Sequence, residues 1–181
     1  MIFIGLGGNL SCETFGPPRA TCGAALQIMT QRGIRIIDRS RWYESAPVPI
    51  SDQPWFVNGV VSIDTSLSAH DLVSEVLNIE AELGRRRSVA NAARTIDLDV
   101  IAYHDQIIEA NSPEQVSIPH PRMHSRAFVL LPLAEIAPDW RHPKTAKPLA
   151  ELIAALPEEQ TCRPMADGSG LFGTEWPGFP H

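Results

Sequence analysis

Two carboxylates separated by one residue, Asp97 and Asp99, are the part of this chain best suited to chemistry. Read as a strand, residues 93–103 alternate: Ile96, Leu98, Val100 and Ala102 point one way, and Thr95, Asp97, Asp99 and Ile101 the other. The first face is apolar and can cover a core. The second holds its acids one strand repeat apart, roughly 6.5–7 Å along the backbone. Like charges that close repel unless a cation lies between them. A pair of Mg²⁺ ions about 3.5–4 Å apart would satisfy both acids and hold a polyphosphate for in-line attack. An isolated Asp-x-Asp is more often a solvated strand face. Here Arg85, Arg86, Arg87 and Arg94 lie just upstream, so one short region offers metal ligands and phosphate partners together.

Further candidates surround this strand. Phe56 and Asn58 share a face of a strand predicted over 55–64, and an aromatic beside a carboxamide suits a flat heterocycle, although core packing and turn capping are equally ordinary uses. Residues 44–54 contain Pro47, Pro49 and Pro54, which deny the backbone to a sheet and give a loop long enough to be a binding element. Glu80 falls on or beside the apolar face of a helix and needs a partner there, either an arginine or a ligand. His120 and His124 have the i, i+4 spacing of a zinc pair, but Pro119 and Pro121 oppose a regular helix, so no zinc site is expected. Gly5-x-Gly7 lacks the third glycine of a dinucleotide fingerprint and reads as a strand-to-helix turn.

These residues need elements to position them. Ile2 to Leu6 reads as a buried strand, and Pro17 or Pro18 opens a helix that Gly33 stops. A strand is expected over 34–43. Ser68 with Asp71 forms a variant capping box for a helix ending at Gly84. After the Asp-x-Asp strand come a short hairpin return at 104–109, a polar turn at 117–126, an apolar helix at 127–136 containing Pro132, and a short helix at 149–156. Strand, helix, strand, strand, helix, strand is the β-α-β-β-α-β order of a ferredoxin-like α+β sandwich with a mainly antiparallel sheet, here with an added hairpin and helices. A single domain over 1–156 is expected. The glycines and prolines beyond Pro157 predict an irregular C-terminal tail over 157–181.

The 181 residues allow one respectable core, and 44% hydrophobic with 20% charged residues is ordinary globular composition. A formal net charge of −6 argues against a nucleic-acid binder but not against a local arginine pocket for one anion. Cys12, Cys22 and Cys162 lack metal-ligand spacing and are odd in number, so free thiols in a reducing cytoplasm are expected. The apolar run from Met1 is too short for a signal peptide or a membrane span.

Taken together, several blocks in order resemble the 6-hydroxymethyl-7,8-dihydropterin pyrophosphokinase family of folate synthesis. They are Gly-Leu-Gly-Gly-Asn-Leu at 5–10, Tyr43 to Pro47, Asp-Gln-Pro at 52–54, Phe-Val-Asn at 56–58, Ile79-Glu80 with Leu83-Gly84-Arg85, Arg-Thr-Ile-Asp-Leu-Asp at 94–99, Pro119-His120, and Arg126-Ala127-Phe128. The resemblance covers residues 1–156, and the block at 94–99 is its most discriminating part.

The resemblance implies an ATP-dependent diphosphotransferase that moves the β,γ-pyrophosphoryl group of ATP to the pterin hydroxymethyl oxygen and releases AMP. It implies Asp97 and Asp99 as ligands of two Mg²⁺ ions, and Arg85 and Arg94 as the arginines that neutralise charge developing during transfer. Arg87, His120 and Arg126 are similar to nucleotide-phosphate contacts, Glu80 to a nucleotide-side acid, and Val100 and Ser117 to residues bordering the adenine. Phe56 and Phe128 resemble the pair that sandwiches the pterin, with Asn58 reading its edge and Ser45, Pro47 and Val48 completing the pocket. Small-molecule substrates, a monomer, and no nucleic-acid or membrane partner are expected. The chain departs from many relatives in having Asn91-Ala92-Ala93 for Trp-Gly-Pro, Phe56 for tyrosine, and Pro121 for tyrosine. Asp-x-Asp with arginines also serves nucleotidyl cyclases and transferases, and the lost Trp-Gly-Pro segment motivates a non-catalytic binding module as a third possibility.

Overall fold

The computed structural model describes residues 1–85, 92–110 and 116–166. In chain order its elements are β1 (Ile2–Gly8), α1 (Pro18–Gln31), β2 (Arg35–Arg39), β3 (Tyr43–Ser45), β4 (Phe56–Asp64), α2 (Ala69–Glu82), β5 (Asp97–Tyr103), α3 (Ala127–Ile136), α4 (Leu149–Ala154) and β6 (Cys162–Pro164), with one 3-10 turn at Met123–Ser125. The sheet runs β5-β1-β4-β3-β6, with β2 also on β4, and every pairing is antiparallel. The chain therefore has the expected α+β sandwich order.

Local chemistry sets the helix boundaries. Pro18 opens α1, and Gly33, at φ +79°, ends it with the paired backbone bonds Gly33 N–H to Thr30 and Ile34 N–H to Met29. Ser68 Oγ accepts the Asp71 N–H at the start of α2 (3.2 Å). Gly84, at φ +81°, ends α2 in the same way, with Arg85 N–H donating to the Glu80 carbonyl at 3.0 Å. This second cap aims Arg85 back along the helix it has just left.

Each face of the sheet has its own apolar layer. Ile4 and Leu6 of β1 and Leu98 and Val100 of β5 meet Leu26 and Met29 of α1 and Leu72, Val76 and Ile79 of α2. On the opposite face, Phe3, Val60, Ile101 and Ala102 meet Leu130 and Leu133 of α3, Trp140, and Leu149 of α4. Pro132 sits inside α3, where close packing on the sheet tolerates the missing backbone donor.

Four expectations change. Residues 34–43 do not form one strand: β2 stops at Arg39 and β3 begins at Tyr43, because Trp42 is fully buried in the core against Gly59. Glu44 and Ser45 join β3, so the proline loop starts at Ala46. Ala102 does not share the face of Leu98. Phe3 pairs with Ala102 and Ile4 with Val100, so Ile101 is an extra residue, and this bulge reverses the alternation beyond it. The segment after residue 156 is not irregular throughout, since Cys162–Pro164 forms edge strand β6 on β3 and closes backbone bonds that β3 would otherwise leave open. All three cysteines are free, and among the described residues no helix is long and apolar enough to cross a membrane.

Candidate active site

The open end of the sheet carries the site. Sheet register sets Asp97 opposite Gly7 and Gly7 opposite Asn58; one repeat along, Asp99 faces Gly5 and Gly5 faces Val60. Paired residues share a face, so both aspartates stand beside glycines with no side chain to fill the space above them. The result is a cavity of about 660 Å³, within the size range of small-molecule sites. Its walls include Ser45, Pro47, Val48, Phe56, Asn58, Arg85, Arg94, Asp97, Asp99, Val100, His120, Arg122, Arg126 and Phe128.

Asp97 is held between two guanidinium groups, Arg94 Nη1 at 2.7 Å from Oδ2 and Arg85 Nη2 at 2.8 Å from Oδ1. Burial, and then Asp99, push its carboxyl above the usual range, while Arg94, Arg85 and Arg126 oppose that shift. Asp99 is more open, with Arg126 Nη1 and His120 Nε2 each 3.9 Å from Oδ2, beyond hydrogen-bond reach. Among the described residues no three acids, histidines or cysteines are arranged so that they could hold a metal ion between them. Two carboxylates, one of them lacking a close cation, fit Mg²⁺, which takes one or two protein carboxylates and completes its shell from substrate phosphates and water.

Glu80 is almost fully buried beneath this pair. It accepts the Leu98 N–H at 2.6 Å and a hydrogen bond from Arg85, and burial pushes its carboxyl up to about 7 despite both donors. It does not line the cavity, contrary to its expected place on the nucleotide. Both bonds fall on Oε1, and they tie α2 and Arg85 to β5.

His120 is mostly buried, and burial, followed by Arg126 and Arg122, lowers its pKa to about 4. The imidazole is therefore neutral near pH 7. Its Nδ1 accepts the Arg122 N–H at 3.2 Å, which assigns the ring proton to Nε2, facing Asp99. Arg126 lays its guanidinium over the Phe128 ring at 5.3 Å. On the far side, Asn58 donates from Nδ2 to Ser45 Oγ at 2.9 Å, which leaves its carbonyl oxygen directed toward the Gly7 backbone, 3.1 Å from where a Cβ there would stand.

Of the other expected residues, Val100 borders the cavity while its side chain is buried in the core. Ser117 does not line it, and its Oγ accepts the Ala110 N–H instead. Arg86, Arg87 and Asn91 lie outside the described residues. Two contributors went unassigned in the sequence. Asn9 is buried and accepts the Arg94 N–H through Oδ1 (2.9 Å), while Nδ2 donates to Pro54 O (3.0 Å) and Gln53 (3.3 Å). It thereby ties the arginine segment to the proline loop, a role that a Gly-Gly-Asn turn signal does not disclose. Arg122 adds a further cation to the cavity wall. The density of basic residues over 120–126 was its only signal.

Paired carboxylates among arginines, next to a slot floored by a carboxamide, are what transfer from a polyphosphate to a flat acceptor asks of a protein. The model of the 7,8-dihydro-6-hydroxymethylpterin-pyrophosphokinase (HPPK) family matches residues 3–138, and the chain belongs to that family. It is 39% identical over 175 residues to a 2-amino-4-hydroxy-6-hydroxymethyldihydropteridine pyrophosphokinase of Synechocystis sp., covering 94% of this chain and 83% of that one. Against the protein of the same description from Pseudomonas aeruginosa it is 39% identical over 159 residues, covering 87% and 93%. It is 41% identical over 127 residues to the folic acid synthesis protein fol1 of Schizosaccharomyces pombe, but there 70% of this chain spans only 17% of the relative's length. Among solved structures, the wild-type HPPK-DHPS of Plasmodium falciparum with STZ-DHP superposes with a TM-score of 0.64 at 14% identity, over 84% of this chain and 42% of that one. That likeness concerns the fold.

Proposed function

We propose that this chain transfers the β,γ-pyrophosphoryl group of ATP to the hydroxymethyl oxygen of 6-hydroxymethyl-7,8-dihydropterin, as a step of folate biosynthesis. The acceptor oxygen forms a bond to the β-phosphorus and releases its proton to water. The bond from that phosphorus to the oxygen shared with the α-phosphate breaks, and AMP leaves with that oxygen. The observation that carries this reading is the row of Asp97, Gly7 and Asn58 inside one arginine-walled cavity, in a chain of this family.

In this reading Asp97 and Asp99 hold two Mg²⁺ ions, which when bound neutralise the triphosphate and orient the acceptor hydroxyl. Arg85 and Arg94 already lie on Asp97, so they are poised to turn toward the phosphates as negative charge shifts in the transition state. Arg126 and Arg122 contact the nucleotide phosphates, and neutral His120 donates its Nε2 proton to a phosphate oxygen. Arg87 and Ser117 are retained as nucleotide contacts by resemblance alone, and Val100 borders the adenine through its backbone. Phe56 and Phe128 sandwich the pterin, Asn58 reads its edge, and Ser45, Pro47 and Val48 close the slot. Glu80 serves by holding Arg85 rather than by touching ATP. The catalytic domain runs from residue 1 through β6, past the boundary at 156 that the sequence suggests, and acts as a cytoplasmic monomer on two small molecules.

The test is incubation of the purified chain with ATP, Mg²⁺ and the hydroxymethyl pterin, followed by chromatography of the nucleotides. AMP and the pterin diphosphate in equal amounts are expected. ADP or free pyrophosphate as the nucleotide-derived product would refute the reading.

A further inference from the structure

α3 begins without a cap of its own. Its N-cap residue is Arg126, whose side chain makes no capping bond because its guanidinium lies in the site over Phe128. An uncapped helix start leaves backbone N–H groups without partners. Gln160, 33 residues further along the chain, fills this gap: its Oε1 accepts the Ala127 N–H at 2.9 Å and its Nε2 donates to Ser125 O at 2.7 Å. The next residue holds the opposite wall. Thr161 O accepts the Ala46 N–H at 3.0 Å, and Cys162 then pairs with Ser45 in the β3–β6 ladder. Ser45 is also the partner of Asn58. The Gln160 side chain itself lines the cavity.

We propose that Gln160 is a positioning residue for the pterin subsite, a cap supplied in trans along the chain that sets Phe128 against the loop 45–48 and so fixes the width of the slot. Two consecutive residues, Gln160 on one side and Thr161 on the other, stitch together walls that come from distant parts of the sequence. Arg126 keeps its catalytic-side position without a capping side chain because the cap is provided from outside the helix. This inference rests on the reading of the cavity given above.

The full-length protein carrying Gln160→Met, which keeps the length and loses both hydrogen bonds, is compared with Gln160→Glu, which keeps the acceptor for Ala127. Steady-state constants for each substrate are read beside pterin binding by the pterin's own fluorescence. Gln160→Met is expected to raise the pterin KM about tenfold, as the loss of one cap would, with the ATP KM within about twofold; Gln160→Glu is expected to stay within about threefold of wild type for the pterin. A Gln160→Met protein with wild-type pterin constants would overturn the assignment, as would equal losses for both substrates that merely follow a lower Tm. If the wild type binds no pterin, the functional reading falls and this inference with it. If the wild type binds and Gln160→Met changes nothing, only the inference falls.

Discussion

Asp97 and Asn58 stand in one row of the sheet with Gly7 between them, the carboxylate on β5 and the carboxamide on β4. Two interstrand spacings separate their backbones, about 9.6 Å. That span suits a flat bicycle read at one end while its hydroxymethyl arm reaches the phosphates at the other. The glycine between them is part of the relationship, since a Cβ at Gly7 would come within 3.1 Å of Asn58 Oδ1.

Removing the Asp97 carboxylate should stop the chemistry and spare the fold. Arg85 keeps Glu80, and Arg94 keeps the Ala92 carbonyl at 3.0 Å, so neither guanidinium is stranded. Asp97→Ala should lower kcat about 10³-fold, with native circular dichroism. ATP affinity, measured with and without Mg²⁺, should lose much of its metal dependence. Wild-type turnover would contradict the two-metal role.

Arg122 offers a clean test of the nucleotide wall, because its side chain is exposed and has no ion pair among the described residues. Arg122→Ala should raise the ATP KM about five- to tenfold, the worth of one charge-assisted contact. The pterin KM and Tm should be unchanged. A shift in Tm with no change in the ATP KM would assign Arg122 to folding instead.

Asn9→Ala removes the acceptor of the Arg94 N–H and both donations to the proline loop. Chemical denaturation should show a loss of about 2 kcal/mol, as for a buried polar group left unpaired. The Arg94 carbonyl keeps the Asn9 and Leu10 N–H groups while its own N–H loses its acceptor, so kcat should fall about tenfold as the segment loosens. A stability loss with kcat intact would show that Asp97, Ala92 and the bonds to its own carbonyl position Arg94 without the Asn9 side chain.

Glu135 of α3 accepts hydrogen bonds from Tyr43 Oη at 2.7 Å and Arg41 N–H at 2.8 Å, joining α3 to β3. Burial works against its charge, but the bonds from Arg41 and Tyr43 prevail and hold its pKa below the ordinary 4.5. A carboxyl depressed in the folded state adds stability that is present above its unfolded value and lost as pH falls through the folded one. The Tm gap between wild type and Glu135→Gln should therefore be full near pH 7 and narrow as the pH drops below about 4.5. A gap that stays constant on acidification would refute the linkage.

What the sequence determined by itself was local. Alternation over 96–100 placed the acids opposite a core face, Ser68 and the two stop glycines bounded the helices, and the block at 94–99 singled out Arg94, Asp97 and Asp99. Those features follow from neighbours in the chain, where periodicity and backbone sterics act directly. Tertiary structure decided what depends on distant partners. The bulge at Ile101 is a property of the β1–β5 register, not of the β5 sequence, and it turned Ala102 to the other layer. The pattern left Glu80 either an arginine or a ligand as partner, and only the fold chose Arg85 together with the Leu98 N–H. Asn9 sits in a resembling block and Gln160 in none, but neither role was legible, because their partners lie 85 and 33 residues away. A hydrogen bond across such a separation exists only once the sheet has assembled, and so the width of the slot belongs to the fold and not to any stretch of sequence.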